Sequence, residues 1–184
     1  AVTWPRSTEF AMALIVVAAV SARALAEVAR NDGHEVLALD LFGDRDTRAA
    51  SAQWLPLGLP ASLRIDADHL LNALQQAARR GALGWIAGSG FDGRPELLTQ
   101  GAALLPLLGT AGDGVAAVRD PRPFFEALRA YGIAHPPVRH RRPEPTSGWL
   151  AKDSGSCGGW HVRAARADDT DPPLPGGYWQ REAP

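Results

Sequence analysis

Trp149-Leu150-Ala151-Lys152, followed by Gly155-Ser156-Cys157-Gly158-Gly159-Trp160-His161-Val162, is a short apolar run that brings a lysine to the mouth of a glycine-rich loop before a strand-like pattern resumes. Glycine backbone can turn several N–H groups toward one anion, and a nearby ammonium adds charge, so the combination suits a polyphosphate. A Walker loop is excluded by order: there the lysine follows the glycines and a helix comes next, whereas Lys152 precedes them and a strand pattern follows. Taken alone, the stretch reads equally as a hairpin turn beside an unrelated lysine.

Working outward, the pattern from Trp149 on is one of short strands: Trp149 to Lys152, Trp160 to Ala164 and Tyr178 to Glu182, with a turn-rich connection at 168–177. This reads as the start of an antiparallel sheet, and the sequence given ends at Ala183-Pro184 with no helical pattern to cover it. Upstream, Asp120-Pro121 opens a predicted helix through Tyr131, with Phe124, Phe125 and Leu128 on one side and Gly132 as its stop. Between them, residues 136–145 are Pro-rich and carry Arg139-His140-Arg141-Arg142. That run lacks interleaved aromatics and reads as a solvated loop.

The first part of the chain has a different rhythm. Phe10 to Val20 is the longest apolar run and is too short to span a bilayer, which takes roughly 20 apolar residues. A secretory leader is the alternative, but Ser21-Ala22-Arg23 and an amphipathic pattern follow at once, as after a buried first strand. Ala13 to Val20 is the predicted strand, Ser21 the cap of a helix over 22–31 with Leu25, Val28 and Ala29 on one face, and Gly33 its stop. Glu35 to Leu41 gives a second, parallel strand. A helix over 66–80 with Leu70, Leu71 and Leu74, a strand over 83–87 ending at Gly88-Ser89-Gly90, and a helix over 95–105 complete the pattern. Residues 1–114 thus read as an open α/β domain, Rossmann-like in layout, with ligand loops at the carboxyl ends of its strands. The fold class is α/β, a parallel-sheet domain followed by a partial α+β segment with antiparallel strands over 115–184.

Bulk properties narrow the function. The 184 residues are 46% hydrophobic and 21% charged with net charge -1, which points to neither a disordered tail nor a nucleic-acid-binding surface. A membrane role is likewise not expected. One cysteine excludes an internal disulfide framework and a cysteine-rich zinc site, so a cytoplasmic protein is the default expectation. The five histidines show no metal-ligand spacing. A dinucleotide fingerprint needs Gly-x-Gly-x-x-Gly after the first strand, and Ala18-Ala19-Val20-Ser21 stands there instead. Asp40 holds the ribose-acid position of such a site, but without the glycines it reads as a loop or cap residue. Cys157 lacks a His-plus-acid partner in the sequence and reads as incidental rather than nucleophilic. His161 reads as strand packing or as a phosphate contact. Asp44-Arg45-Asp46 reads as surface pairing or as a substrate-side group, and Gly88-Ser89-Gly90 as a tight turn or an entrance lining.

Ser21-Ala22-Arg23, Leu39-Asp40-Leu41-Phe42-Gly43-Asp44-Arg45-Asp46-Thr47, Gly88-Ser89-Gly90-Phe91, Arg119-Asp120-Pro121, Trp149-Leu150-Ala151-Lys152 and the glycine loop, taken in order, closely resemble the ATP-grasp carboxylate ligases. More narrowly they resemble the carboligase branch that includes tyramine-glutamate ligase-like proteins. The resemblance covers residues 13–184.

It implies a pre-ATP-grasp domain, then a linking helix and the smaller subdomain that clamps ATP. Arg119 matches the basic residue at the head of the linking helix, where lysine is more usual. Lys152 matches the phosphate-contacting lysine, and Gly155, Ser156, Cys157, Gly158 and Gly159 the loop that closes over the phosphates. Gln180, Glu182 and Ala183 fall in the strand that resembles the hinge bordering adenine, with Gln180 where many members have glutamate. The implied cofactors are ATP and Mg2+. The implied reaction activates a small-molecule carboxylate as an acyl phosphate for attack by an amine, and homo-oligomerisation is left open. The metal-binding acids of the family lie past the hinge, so this sequence is expected to hold no metal site and, by itself, not to ligate. The rival readings are a noncatalytic nucleotide- or metabolite-binding module and, from another class, a nicotinamide-dependent oxidoreductase, which the missing glycines disfavour.

Overall fold

A computed structural model describes residues 12–155, 159, 161–171 and 176–183. The chain divides into two compact units. One comprises residues up to 89 together with 100–109, the other 90–99 together with 110 onward.

In the first unit β1 (Leu14–Ala18), α1 (Arg23–Asn31), β2 (Glu35–Asp40), α2 (Arg45–Ala50), β3 (Gln53–Pro56), α3 (Ala67–Arg79) and β4 (Gly84–Ala87) follow one another. The strands pair in parallel in the order β3-β2-β1-β4, with Val17 opposite both Ala38 and Ile86. Val16, Val17 and Ala18 are wholly buried, which is why β1 is an unbroken apolar run rather than an alternating one. The strand reading of that run therefore holds, although its first residues, 10 and 11, lie outside the described region.

Helix α1 departs from the expected pattern at two points. Its buried face is Ala22, Ala26 and Ala29, with Leu25 partly buried, while Val28 is exposed. Small residues let the helix lie close to the sheet, and the larger valine is left in solvent. Ser21 does not cap it; the Ala22 N–H donates to the Asp40 carboxylate at 3.3 Å. Asp40 is itself buried and also accepts from Trp54 Nε1 at 2.6 Å and Gly43 N at 2.8 Å, so it organises the loops at the carboxyl end of β1 and β2. Asp44 caps α2 by accepting from Thr47 N at 2.8 Å, and Asp46 pairs with Arg23 at 3.5 Å. Both acids of that triplet are thus in structural use. In α3, Asp66 caps through His69 N at 3.0 Å, and the buried stripe is Leu70, Ala73, Leu74 and Ala77, with Leu71 half-buried.

Helix α4 (Pro95–Ala102) is shorter than its expected span. The second unit then holds α5 (Gly112–Arg119), α6 (Pro121–Ala130), β5 (Val138–Arg139), β6 (Trp149–Asp153), β7 (Arg163–Ala164) and β8 (Gly177–Arg181). Among the described residues the four strands form an antiparallel sheet in the order β5-β8-β6-β7. Trp149, Ala151 and Trp179 make its own small core, backed by Ala165. Trp179 is fully buried, and truncating it to alanine is expected to cost roughly 3–5 kcal/mol. The Arg139 and Arg181 guanidiniums lie over the Trp149 ring at 5.1 and 5.8 Å, cation–π contacts that add to the covering of that ring. Asp169 makes a two-point contact with Arg163 at 2.5 and 2.8 Å and accepts from Arg166 N at 2.7 Å, fastening the chain that leaves β7.

Candidate functional site

Side chains directly opposite each other in an antiparallel pair share a face. In β6 and β8 the partners Leu150–Gln180 and Lys152–Tyr178 lie on one face, and Ala151–Trp179 on the other. The apolar alternation that buries Trp149, Ala151 and Trp179 thereby turns Lys152 and Gln180 to the same side. Lys152 Nζ donates to Gln180 Oε1, a diagonal cross-strand contact. The acceptor is neutral, so the ammonium keeps its full charge for an anion.

Lys152 lines a cleft of about 360 Å³ within the second unit, together with Arg119, Gly159, His161, Phe125 and Tyr178. Arg119 is the last residue of α5. Asp120 ends that helix in an extended conformation and caps the next one by accepting from Arg122 N at 3.0 Å, with Pro121 at the first helical position. This sharp junction sets where Arg119 points. Its guanidinium stands 3.9 Å from the Asp92 carboxylate, with both side chains partly exposed. Phe125, the buried residue of α6, packs against Tyr178 with ring centres 5.7 Å apart. Burial pushes the Tyr178 phenol above its ordinary range, with Arg119 opposing, so the cleft wall is an aromatic group that stays neutral near pH 7.

The glycine segment leaves β6 through an Asx turn: Asp153 Oδ1 accepts from Gly155 N at 2.8 Å. Ser154 Oγ donates to the Gly176 carbonyl at 2.8 Å. The Gly155 carbonyl lies against Gly93, where a Cβ would come within 2.1 Å of it. Gly159 has φ +78°, and its carbonyl accepts from Val162 N at 3.0 Å. Ser156, Cys157 and Gly158 lie outside the described residues.

Of the residues singled out from sequence, the structure brings Arg119, Lys152, Gly159 and His161 to one cleft, with Gln180 attached through Lys152. Glu182 and Ala183 line a second cavity of about 880 Å³, beside Pro136, Pro137 and Gly148. Their strand end is fixed there by bonds from Arg181 N to the Pro137 carbonyl at 2.8 Å and from Glu182 N to the Gly148 carbonyl at 3.0 Å. Asp92, Gly93 and Asp153 carry no assignment from sequence. Asp153 has a local signal, an aspartate two residues before a glycine at a strand end, whereas Asp92-Gly93 shows only the dipeptide of a turn. Two cations, Gly159 and an imidazole line this cleft together with the Asp153 carboxylate, one oxygen of which is engaged by the Gly155 N–H, and the two cations can hold a multiply charged anion there. Among the described residues no three His, Cys, Asp or Glu side chains converge as a metal site, and no helix is long and apolar enough to cross a membrane.

Comparison with protein-family models gives no match, and comparison with curated proteins gives none. Solved structures do match. The chain is similar to the biotin carboxylase domain of 2-oxoglutarate carboxylase from Hydrogenobacter thermophilus, a dimer in complex with MgADP, ADP and bicarbonate: TM-score 0.65, 14% identity, 92% of this chain and 44% of that one. It is similar to N5-carboxyaminoimidazole synthetase from Staphylococcus aureus complexed with ADP, with TM-score 0.62 and 14% identity over 93% of this chain and 47% of that one. N5-carboxyaminoimidazole ribonucleotide synthetase from Thermus thermophilus gives TM-score 0.60 and 15% identity over the same shares, 93% and 47%. The chain spans less than half the length of these three structures. What the likeness shows is the fold: a parallel-sheet α/β unit followed by an antiparallel sheet. The structures that share it are a carboxylase domain and two synthetases, two of the three in complexes with ADP.

Proposed function

We propose that this chain carries one side of the nucleotide site of an ATP-dependent ligase. The observation that carries the reading is the convergence of Arg119 and Lys152 on one cleft with Gly159 at its rim. Lys152 and Arg119 hold the phosphates as positive charges, with Gly159 of the glycine loop beside them. Ser156, Cys157 and Gly158 belong to that loop by sequence. Gln180 orients Lys152 without neutralising it. Glu182 and Ala183 border the base through the backbone of the strand end. On this reading residues 1–114 are the pre-ATP-grasp domain and 115–184 the start of the ATP-grasp domain.

The reaction assigned is activation of a carboxylate as an acyl phosphate that an amine then attacks. Bound nucleotide supplies the phosphoryl group, and this chain's residues position it and offset its charge. The resemblance implies Mg2+ as well, and the described residues make no site for it. The narrower assignment to the tyramine-glutamate ligase-like branch rests on the sequence motifs. Like the solved structures of its fold, the protein is read as acting on small molecules.

Titration of the chain with ADP tests the reading. Lys152→Ala is expected to weaken binding by about tenfold or more, the loss of one charge-assisted contact. An unchanged affinity would remove the cleft from consideration as the phosphate site.

A further inference from the structure

We propose that the Asp92-Gly93 turn is a positioning element for the phosphate-binding side of the cleft, with Gly93 seating the backbone at Gly155 and Asp92 holding Arg119. The inference rests on the phosphate reading of that cleft. Two independent contacts meet on adjacent residues. The Gly155 carbonyl approaches Gly93 so closely that a Cβ there would lie 2.1 Å from the oxygen and 3.2 Å from the carbonyl carbon. Side-chain carbons do not approach within 3.0 Å, and the obstacle is backbone rather than the end of a flexible side chain, so any other residue at 93 must displace the peptide at 155. That peptide begins three residues after Lys152 and is tied to β6 through Asp153. One residue earlier, Asp92 places its carboxylate 3.9 Å from the Arg119 guanidinium. Segment 90–99 groups with the second unit, apart from the parallel sheet that precedes it in sequence. A single tight turn thus meets both the backbone at Gly155, where the glycine loop begins, and Arg119, which lines the cleft.

The experiment compares Gly93→Ala with Gly109→Ala, a change of the same kind at a glycine whose added Cβ meets nothing within 4 Å. Backbone amide spectra report the seat directly, and ADP titration reports its use. Gly93→Ala is expected to shift the Gly155 and Lys152 amides and to weaken ADP binding about tenfold, while amides of Val16 and Val17 stay in place. Gly109→Ala is expected to change neither. An unmoved Gly155 amide overturns the seat. A moved amide with unchanged ADP affinity, where Lys152→Ala does weaken binding, overturns the positioning role and leaves the phosphate reading standing. If Lys152→Ala is also without effect, the phosphate reading falls and takes this inference with it. Should Gly93→Ala fail to fold, the unmodified chain gives the answer: ADP is expected to shift the Gly93 amide along with that of Lys152, and a silent Gly93 overturns the proposal.

Discussion

The Lys152 ammonium and the Gln180 amide oxygen meet across the β6–β8 pair, two residues off direct opposition. A neutral acceptor orients a cation and leaves its charge to attract a phosphate. Gln180→Glu is therefore expected to lower ADP affinity by roughly tenfold, about 1.4 kcal/mol, through the added negative charge. Calorimetric titration at two salt concentrations checks this. The loss should shrink in high salt because the pair is only part-buried, and an affinity equal to the parent protein's would contradict the electrostatic account.

Asp40 is buried beneath three N–H donors, from Trp54, Gly43 and Ala22. Asp40→Asn places an amide N–H₂ against some of those donors and leaves at least one unsatisfied, at a cost of about 1–3 kcal/mol. Urea denaturation should show a lower midpoint with an unchanged slope. A midpoint within error of the parent would mean that the carboxylate is not what ties these loops together.

Asp169 has its acidity strengthened chiefly by the hydrogen bond from Arg163, then by Arg166 N, against an opposing effect of burial. A carboxyl held below its unfolded value stabilises the fold fully above that value, about 3.9 for an ordinary aspartate, and loses the contribution as pH falls through the folded one. Thermal melts taken downward from about pH 6 past the ordinary aspartate value should therefore show a falling stability that is less steep in Asp169→Asn. Parallel curves for the two proteins would rule out Asp169 as a source of the acid sensitivity.

Leu63 follows a short 3-10 turn at Pro60–Ser62 with φ +49° and ψ +27°, a left-handed conformation in which the Cβ crowds the carbonyl oxygen and which asparagine tolerates better through local hydrogen bonding. It is 43% exposed, so little apolar contact is at stake. Leu63→Asn keeps the backbone and relieves the strain, and it should raise stability by up to about 1 kcal/mol. A lower denaturation midpoint would show that the leucine packs usefully after all.

The elements legible in the sequence were those whose signal is local. The apolar run of β1, the Asp120-Pro121 helix opening, and the Phe124-Phe125-Leu128 side of α6 each state their structure within a few residues. Helix α2 has six residues and no apolar stripe, and β3 ends in Pro56, so neither shows a period long enough to read. The start of α1 was misleading for a different reason: its backbone acceptor is Asp40, 18 positions away, and no local rule finds it. The same division holds for the candidate site. Lys152 and Arg119 announce themselves by type and by their neighbours, and the face that Lys152 shares with Gln180 follows from strand register. The contacts of Asp92 and Gly93 depend on how distant segments come together, which pattern alone does not encode.

The chain passes into the second unit at Gly90, returns to the first at Gln100 and leaves it again at Thr110. No single cut can therefore release either unit whole. A shortened protein beginning at Thr110 would keep the antiparallel sheet, Arg119 and Lys152, yet lose the segment 90–99 that carries Asp92 and Gly93. Dissection of this protein into separately expressed halves calls for grafting residues 90–99 onto the later half, and the nucleotide affinity of such a grafted half, set against the ungrafted one, measures what that segment is worth.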